Sequence, residues 1–555
     1  MDNRTIARHL RMMANLYEVA STNHPKARQY RNLANNVRTL PFALKDQLDQ
    51  FQDRAKLPSD QFNSLFALIH FGVKNAFITL PLEVPHSLRE ILALPSIGPK
   101  ATREWYQRFG ITNLQELKVA IDNGLLFSTA VIPQHLLASL AQEIILLERR
   151  MTLVPLFLGQ SIGHGWQEHL LKFPGITRVE WTGELRRQKA LLESVALLVE
   201  ISVILWEVTQ QELLREGFTT SSSANDNGTM IEYSLTMAAD DRQLPIRLYL
   251  TQQQDFYPAW VITSGDEDHR IYLGTDEVKS DGVHSEEEVY QAKSVAFIVP
   301  ELREQGSLHK DPHSLVTYAA LQGDLHMHTT YSDGANSIED MVRGCIARGY
   351  QYMAITDHSK SAKIAHGLTV DRLTRQHDVI LGLREKYPEI TILHGTEVDI
   401  MTDATLDFND EILGSLDLVV ASIHTSFYLS KKEQTTRIVA AITSPHVDII
   451  GHPTGRMLGR RDAYALDFEA IFAAATTHRV ALELNSNPSR LDLDPLILRL
   501  AQEAGCLFSI DSDAHSSADL ERIPAFGIGQ ARRGWLTPDR VINTWNWEKF
   551  SAWLQ

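Results

Sequence analysis

The first 150 residues carry apolar positions at helical spacing. "TIARHLRMMANLYEVA" and "PKARQYRNLANNVRTL" set apolar side chains three and four apart, with Lys and Arg on the other face, which predicts amphipathic helices. From 86 to 150, "SLREILALPSIGPKATREWYQRFGITNLQELKVAI" alternates short helical patterns with tight turns. From 151 to 315 the pattern is mixed: "LPIRLYLT" and "PAWVITSG" read as strands, "TTSSSANDNGT" as a polar connection, and "REQGSLHKDPHS" (303–314) as a linker. The most apolar run, "LLESVALLVEISVILWEV" from 191, is interrupted by Glu193, Glu200 and Glu207. Those charges predict buried strand or helix there rather than a membrane span. Residues 316–555 alternate short apolar runs with amphipathic helices, the α/β pattern.

A chain of 555 residues is too long for one core, so several domains are expected. With 44% hydrophobic and 22% charged residues it has an ordinary globular composition. Only Cys345 and Cys506 are present, which excludes a disulfide framework and favours a reducing cytoplasm. The start, "MDNRTIARHLRMM", does not read as a secretory signal. A formal charge of −16 argues against a uniformly basic coat but leaves room for local basic patches.

The chemistry is concentrated where the apolar runs of the last part end. "GDLHMHT" brings His326 and His328, with Asp333 soon after; "QYMAITDHS" ends in Asp357 and His358. "ITILHGTEVDI" ends near Glu397, "LDLVVASIH" in His424, "VDIIGHP" in His452, "VALELNSNP" in Asn485, and "CLFSIDSDAHS" in Asp513 and His515. A single histidine after an apolar run is most often a hydrogen-bonded core or loop residue, and Asp333 beside Gly334 could be a turn. Independent accidents would not put imidazole or carboxylate at the end of nearly every strand. In parallel barrels the carboxyl ends of the strands converge on one face, so these groups are expected to meet. The donor set suits zinc, manganese or iron and is wrong for an all-oxygen calcium cage.

These residues resemble the PHP (polymerase and histidinol phosphatase) domain. Its motifs stand here as "HMH" 326–328, "TDH" 356–358, "GTE" 395–397, "SIH" 422–424, "GHP" 451–453 and "DAH" 513–515. The resemblance implies a distorted seven-stranded barrel holding up to three divalent metals, Zn²⁺ or Mn²⁺ with Fe²⁺ or Mg²⁺ as alternatives. It assigns His326, His328, Glu397 and Asp513 to the first metal, Glu397, His424 and His452 to the second, and Asp333, His358 and His515 to the third. The catalytic set would be His326, His328, Glu397, His424, His452 and Asp513. Hydrolysis of a phosphoester is the expected reaction. Arg456, Arg490, and Arg532 or Arg533 are the candidate phosphate-binding cations, each weighed against pairing with surface carboxylates.

"ALPSIGPKA", 93–101, matches the turn of a helix-hairpin-helix element, where Gly98 and Lys100 would hold one DNA phosphate without reading bases. No equivalent first hairpin is recognisable near 55–75. Together with the order of parts, this resembles the bacterial family X DNA polymerases with a PHP tail. The resemblance implies 1–80 as a helical DNA-binding domain, 81–150 as a helix-hairpin-helix, fingers-like domain, 151–315 as an α+β nucleotidyltransferase palm and thumb, and 316–555 as the PHP barrel. In "TGELRRQKALLESVALLVEIS", Gly183, Arg186 and Arg187 match the palm motif of that family. The serine of its turn has become Glu184, and the two aspartates of its Asp-x-Asp fall on Ser194 and Ala196. A third aspartate falls near Arg247. Without carboxylates to hold two Mg²⁺ against a triphosphate, that palm is expected not to add nucleotides.

The expected activity is a metal-dependent 3′–5′ exonuclease or 3′-end processing of DNA, acting on primer–template, gapped or 3′ ends, by a cytoplasmic monomer with no membrane partner. One alternative is an active family X polymerase; another is a PHP phosphatase acting on a small metabolite such as histidinol phosphate.

Overall fold

The computed structural model describes residues 3–554 apart from 22–23, 39, 41–43, 49–50, 53–55, 79, 81, 95, 129–139, 142, 146, 149–151, 224–229, 240–241 and 275–281. The chain divides into two compact units, Met1–Leu153 with Thr236–Leu244, and Val154–Leu235 with Pro245–Gln555.

In the first unit, the helices Asn3–Ala20 and Pro25–Arg38 pack together, with Tyr17 stacked on Tyr30 at 5.6 Å. One hydrophobic cluster runs from Ile6 to Leu147, so the expected domains 1–80 and 81–150 share a core. A single 20-residue helix, Ser59–Ile78, occupies the place where a first hairpin was not recognisable. Leu88–Leu92 and Pro99–Phe109 do form a helix–turn–helix corner. The second helix starts with Pro99 just inside Gly98 and stops at Gly110, which takes a left-handed φ of 68°.

Residues 176–251 form a five-stranded sheet: β1 (Ile176–Trp181), β2 (Val195–Ile201), β3 (Thr219–Ser223), β4 (Met230–Ala239) and β5 (Arg242–Thr251), in the order β1-β2-β5-β4-β3. β2 is antiparallel to β1 and parallel to β5. Within the apolar run from 191, Val195–Ile201 becomes the buried strand β2, whereas Val203, Ile204 and Val208 beyond it are exposed in a 3-10 turn and the helix that follows; "LPIRLYLT" lies in β5 as expected. Of the polar connection, 219–223 forms β3, and 224–229 lie outside the described residues.

"PAWVITSG" is a correction. It belongs to the helix Phe256–Ser264, not to a strand. Phe256, Pro258, Ala259, Val261 and Ser264 are all buried, so apolar residues surround the helix and no 3.6-residue period shows. Pro258 falls in the first turn, where its missing N–H costs nothing. The segment 303–314 is irregular but is no free linker. Arg303 is fully buried and pairs with Glu286 at 2.7 Å, while Glu304 accepts from Arg499 and Arg533.

Seven parallel strands then form a nearly closed barrel: β6 (Gly323–Asp324), β7 (Tyr352–Ile355), β8 (Thr391–Asp399), β9 (Leu418–Ser422), β10 (Ile449–Ile450), β11 (Ala481–Asn485) and β12 (Leu507–Asp511). Alternate residues serve two cores. Met353, Ile355, Val419, Ala421, Leu482 and Phe508 join the cluster under the surrounding helices. Tyr352, Ala354, Leu393, Val420, Ile449 and Ala481 join a second cluster with Trp545, Phe550 and Trp553. Both faces of the strands are thus apolar, as buried parallel strands require. The final helix, Trp547–Leu554, packs its aromatic residues on the second face, with Phe550 stacked on Tyr352 at 4.5 Å.

The seam between first and last strands is made by side chains. Asp511 Oδ1 accepts from the Leu325 amide at 2.9 Å, and Asp324 Oδ1 accepts from the Ser512 amide at 3.2 Å. Asn543 donates to the Gly323 and Ile510 carbonyls, and a parallel bridge joins Met327 to Ala514.

Candidate metal centre

Polar side chains take over where the strands reach their carboxyl ends. His326 and His328 follow β6 two residues apart, so they share a face, while Met327 between them joins the outer core. The other strand ends deliver His358, Glu397, His424, His452 and Asp513, and all nine expected ligand residues form one cluster around Glu397.

Glu397 Oε1 lies 3.0 Å from His452 Nε2, 3.3 Å from His424 Nε2 and 3.6 Å from His326 Nε2. Its Oε2 lies 2.8 Å from His358 Nδ1 and 3.7 Å from His328 Nε2. Asp513 Oδ1 stands 3.4 Å from His328 Nε2, and Asp333 Oδ1 is 3.4 Å from His515 Nε2 and 3.6 Å from His358 Nε2. Donor atoms gather into three groups: His326, His328 and Asp513; His358, Glu397 and His424; and His328, Asp333, His358 and His515. His328 and His358 each belong to two groups, so the ligand sets overlap more than the resemblance implied. His452 and Asp513, both ligand candidates, have left-handed φ values of 28° and 50°. Such backbone is uncommon outside glycine and collects at functional sites.

A second layer, missed in the sequence, aims these rings. Glu483 Oε1 lies 2.6 Å from His326 Nδ1, and its other oxygen accepts from the His452 amide. Asp399 Oδ1 lies 2.5 Å from His424 Nδ1. Each carboxylate fixes a ring tautomer that leaves Nε2 facing the cluster. Asp357, fully buried, accepts from the Thr329 amide and hydroxyl, Ser332 Oγ and Gln376 Nε2, holding the loop that carries Asp333. The available signal was a carboxylate within an apolar strand, "LELN" or "EVDI", where an unpaired charge would cost too much.

Electrostatics fit cation ligands. Burial, then the charges of His358 and His515, lowers His328 to about 3, and burial with Arg490 lowers His452 to about 4, so both stay neutral donors. Burial would raise Glu397, but His424, His358 and His326 outweigh it and hold the carboxyl well below its usual range. Burial works against a charged His424, yet Glu397 and Asp399 raise it to about 10. In the same way Asp333 and Asp513 raise His515 to about 9 against burial. The buried Nε2 atoms of His326 and His328 have no hydrogen-bond partner. A concentration of carboxylates and unsatisfied imidazole nitrogens in a buried pocket suits divalent cations.

The expected phosphate-binding cations are placed differently from one another. Arg490 Nε is 3.7 Å from Asp513 Oδ2, at the edge of the cluster. Arg456 donates to Asp494 at 2.9 Å and to the Arg490 and Leu491 carbonyls. Arg532 donates to Glu301 at 2.7 Å and to the Val316 carbonyl, and Arg533 pairs with Glu304. In the first unit, Lys100 lines a depression of about 370 Å³ with Arg103, Glu104, Gln107 and Arg108, and Gly98 caps the helix beside it.

At the palm positions, Ala196 and Arg247 are partners in the β2–β5 ladder, and Ser194 lies buried just before β2. Gly183 takes a φ of 58°, and a Cβ there would stand 3.1 Å from the Ala196 Cβ. Arg247 is 3.9 Å from Glu232. Arg186 donates two hydrogen bonds to the Glu286 carboxylate, at 2.7 and 2.5 Å, and lies over Trp260; Arg187 donates to the Ser264 carbonyl. Among the described residues, every group of three or more His, Cys, Asp or Glu able to share a cation lies in the barrel.

Barrel and cluster define a metal-dependent hydrolase domain of the PHP class, and residues 324–487 match the PHP domain model. The whole chain is 30% identical over 575 residues to "DNA polymerase/3'-5' exonuclease PolX" of Bacillus subtilis (strain 168), covering 100% of both. The chain belongs to this PolX family of bacterial family X polymerases with a PHP domain. A stretch of 233 residues is 33% identical to a "Probable phosphatase" of Thermoanaerobacter sp. (strain X514), covering 40% of this chain and 89% of that one. Among solved structures, histidinol phosphate phosphatase of Lactococcus lactis matches 39% of this chain and 94% of its own, at 17% identity and a TM-score of 0.29. No helix among the described residues is long and apolar enough to cross a membrane.

Proposed function

We propose that the barrel site hydrolyses phosphodiester bonds at DNA 3′ ends, as a 3′–5′ exonuclease or end-processing nuclease. The observation that carries this reading is the gathering of nine metal-competent side chains in one cluster, five of them imidazoles within 3.7 Å of Glu397, with Arg490 at the rim. Up to three divalent cations, Zn²⁺ or Mn²⁺ first and Fe²⁺ or Mg²⁺ as alternatives, would be held by His326, His328, Asp333, His358, Glu397, His424, His452, Asp513 and His515. When bound they would supply Lewis acidity at the phosphoryl oxygens and an attacking water of lowered pKa. The chain's own groups do the rest: Glu483 and Asp399 keep His326 and His424 aimed, and Arg490 offers positive charge to the phosphate.

DNA as the partner follows from the name of the Bacillus subtilis relative and from the Gly98–Lys100 corner. The palm of 151–315 presents DNA without extending it, because alanine and arginine stand where metal-binding carboxylates are needed. The parts 1–80, 81–150, 151–315 and 316–555 divide this labour in a cytoplasmic monomer.

A labelled primer–template with Mn²⁺ tests the reading. The wild type shortens the strand from its 3′ end and His328→Ala does not. Equal degradation by both, or faster turnover of histidinol phosphate than of the oligonucleotide, overturns it.

A further inference from the structure

Six of the seven barrel strands lead into a candidate ligand. The seventh, β11, ends in Asn485, which is fully buried and belongs to none of the cation-competent groups. Asn485 and Glu483 stand two apart on β11 and so face the same side, while Leu484 between them joins the outer core. The Asn485 backbone is pinned, its amide donating to the Asp492 carbonyl at 2.5 Å. Its side chain is oriented as well. Oδ1 accepts from the Asn487 amide at 2.9 Å, which turns Nδ2 and its two hydrogens the other way. One hydrogen bond runs to Glu483 Oε2 at 3.1 Å and the other to Asp513 Oδ2 at 3.2 Å.

Both carboxylates are committed to the cluster by their remaining oxygens. Glu483 Oε1 faces His326 Nδ1 at 2.6 Å, and its Oε2 also accepts from the His452 amide. Asp513 Oδ1 lies 3.4 Å from His328 Nε2 and 3.7 Å from His515 Nδ1. Asp513 Oδ2, by contrast, is covered by the protein: Asn487 Nδ2 is 3.4 Å away and Arg490 Nε 3.7 Å, beside the Asn485 bond. One amide therefore ties the carboxylate that aims His326 to a carboxylate that is itself a candidate ligand. An ionised aspartate in its place would have the same shape but no hydrogen to donate to either. Hydrogen bonds of this kind orient ligating groups and set their affinity for the ion.

We propose that Asn485 is a positioning residue of the metal centre: its amide couples the orientation of His326, through Glu483, to that of Asp513, and leaves only Oδ1 of Asp513 to face the ions. This inference rests on the metal-centre reading above and adds to it a residue that holds no ion itself.

The test uses the full chain, freed of metal, as wild type and Asn485→Ala. Competition with a chelator should show Mn²⁺ held about 10–100-fold more weakly by the variant. The visible absorption of bound Co²⁺, which reports the number and arrangement of ligating atoms, should differ because Asp513 Oδ2 has been set free. Chemical denaturation of the metal-free chains separates these effects from a folding defect. Asn485→Ser keeps one hydrogen to donate, so its affinity should fall between the two, and it replaces the Ala variant should that one not fold. A folded variant with wild-type affinity and an unchanged Co²⁺ spectrum overturns the positioning role while the metal-centre reading stands. A wild type that binds neither ion overturns both.

Discussion

Ala196 and Arg247 are direct neighbours across the parallel ladder of β2 and β5, with Gly183 of the preceding turn against Ala196. A methyl group and a guanidinium thus stand side by side at two of the three positions, Ser194 being the third, where the proposed function has metal-binding carboxylates replaced. Repulsion by Arg247 and the absence of a ligand at Ala196 act together. Primer extension with dNTPs and Mg²⁺ should stay at background. It should also stay there in His328→Ala, in which degradation cannot mask synthesis; extension by that variant would refute the inactive palm.

Asp399 should act on metal affinity through His424. Asp399→Asn keeps the shape but removes the charge facing His424 Nδ1 at 2.5 Å. Loss of an outer carboxylate of this kind weakens metal binding about 10–100-fold. Metal titration with a competing chelator measures it directly, and unchanged affinity would leave Asp399 a structural residue only.

Proton release should accompany metal binding. Asp399 and Glu397 hold His424 protonated up to about 10, and Asp333 and Asp513 hold His515 protonated up to about 9. Ligation needs the neutral ring, so cations entering at pH 7.5 must displace protons. Calorimetry in two buffers of different ionisation enthalpy reads the number released, and identical heats would contradict the charge state described here.

Glu286 is the hub of a buried ion cluster, 2.7 Å from the fully buried Arg303 and accepting two hydrogen bonds from Arg186. Glu286→Gln leaves two buried cations without a counter-charge. A loss of about 3–5 kcal/mol is expected from breaking such a pairing. Chemical denaturation of the intact chain measures it.

Stability should also fall on acidification through His269. Burial, then the charge of Arg303, lowers this imidazole to about 3, while its Nε2 meets the Tyr290 hydroxyl at 2.7 Å. The unfolded chain takes up a proton near pH 6.5 and the folded chain only near 3, so stability drains away as pH falls between those values. His269→Asn should flatten that part of the profile of stability against pH.

The barrel was legible because its signals are local: each strand is a short apolar run and each ligand lies within a few residues of its end. The helix Phe256–Ser264 was misread because burial on all sides erased its period. Glu483 and Asp399 escaped because their roles depend on the rings they face, His326 and His424, which come from other strands. The fate of Arg532 was equally hidden: its partner Glu301 is 231 positions away, and no spacing rule links them.

The aromatic packing of Trp545, Phe550 and Trp553 on the barrel interior has a consequence for how the enzyme is made. The strands that carry the ligands leave the ribosome well before these rings do. Until the rings arrive, the inner apolar face made by Tyr352, Leu393 and Val420 is open to water. A nascent chain would therefore carry its ligands in an unfinished vessel, and cutting power would arrive late, with the sealing of the base rather than with the last histidine.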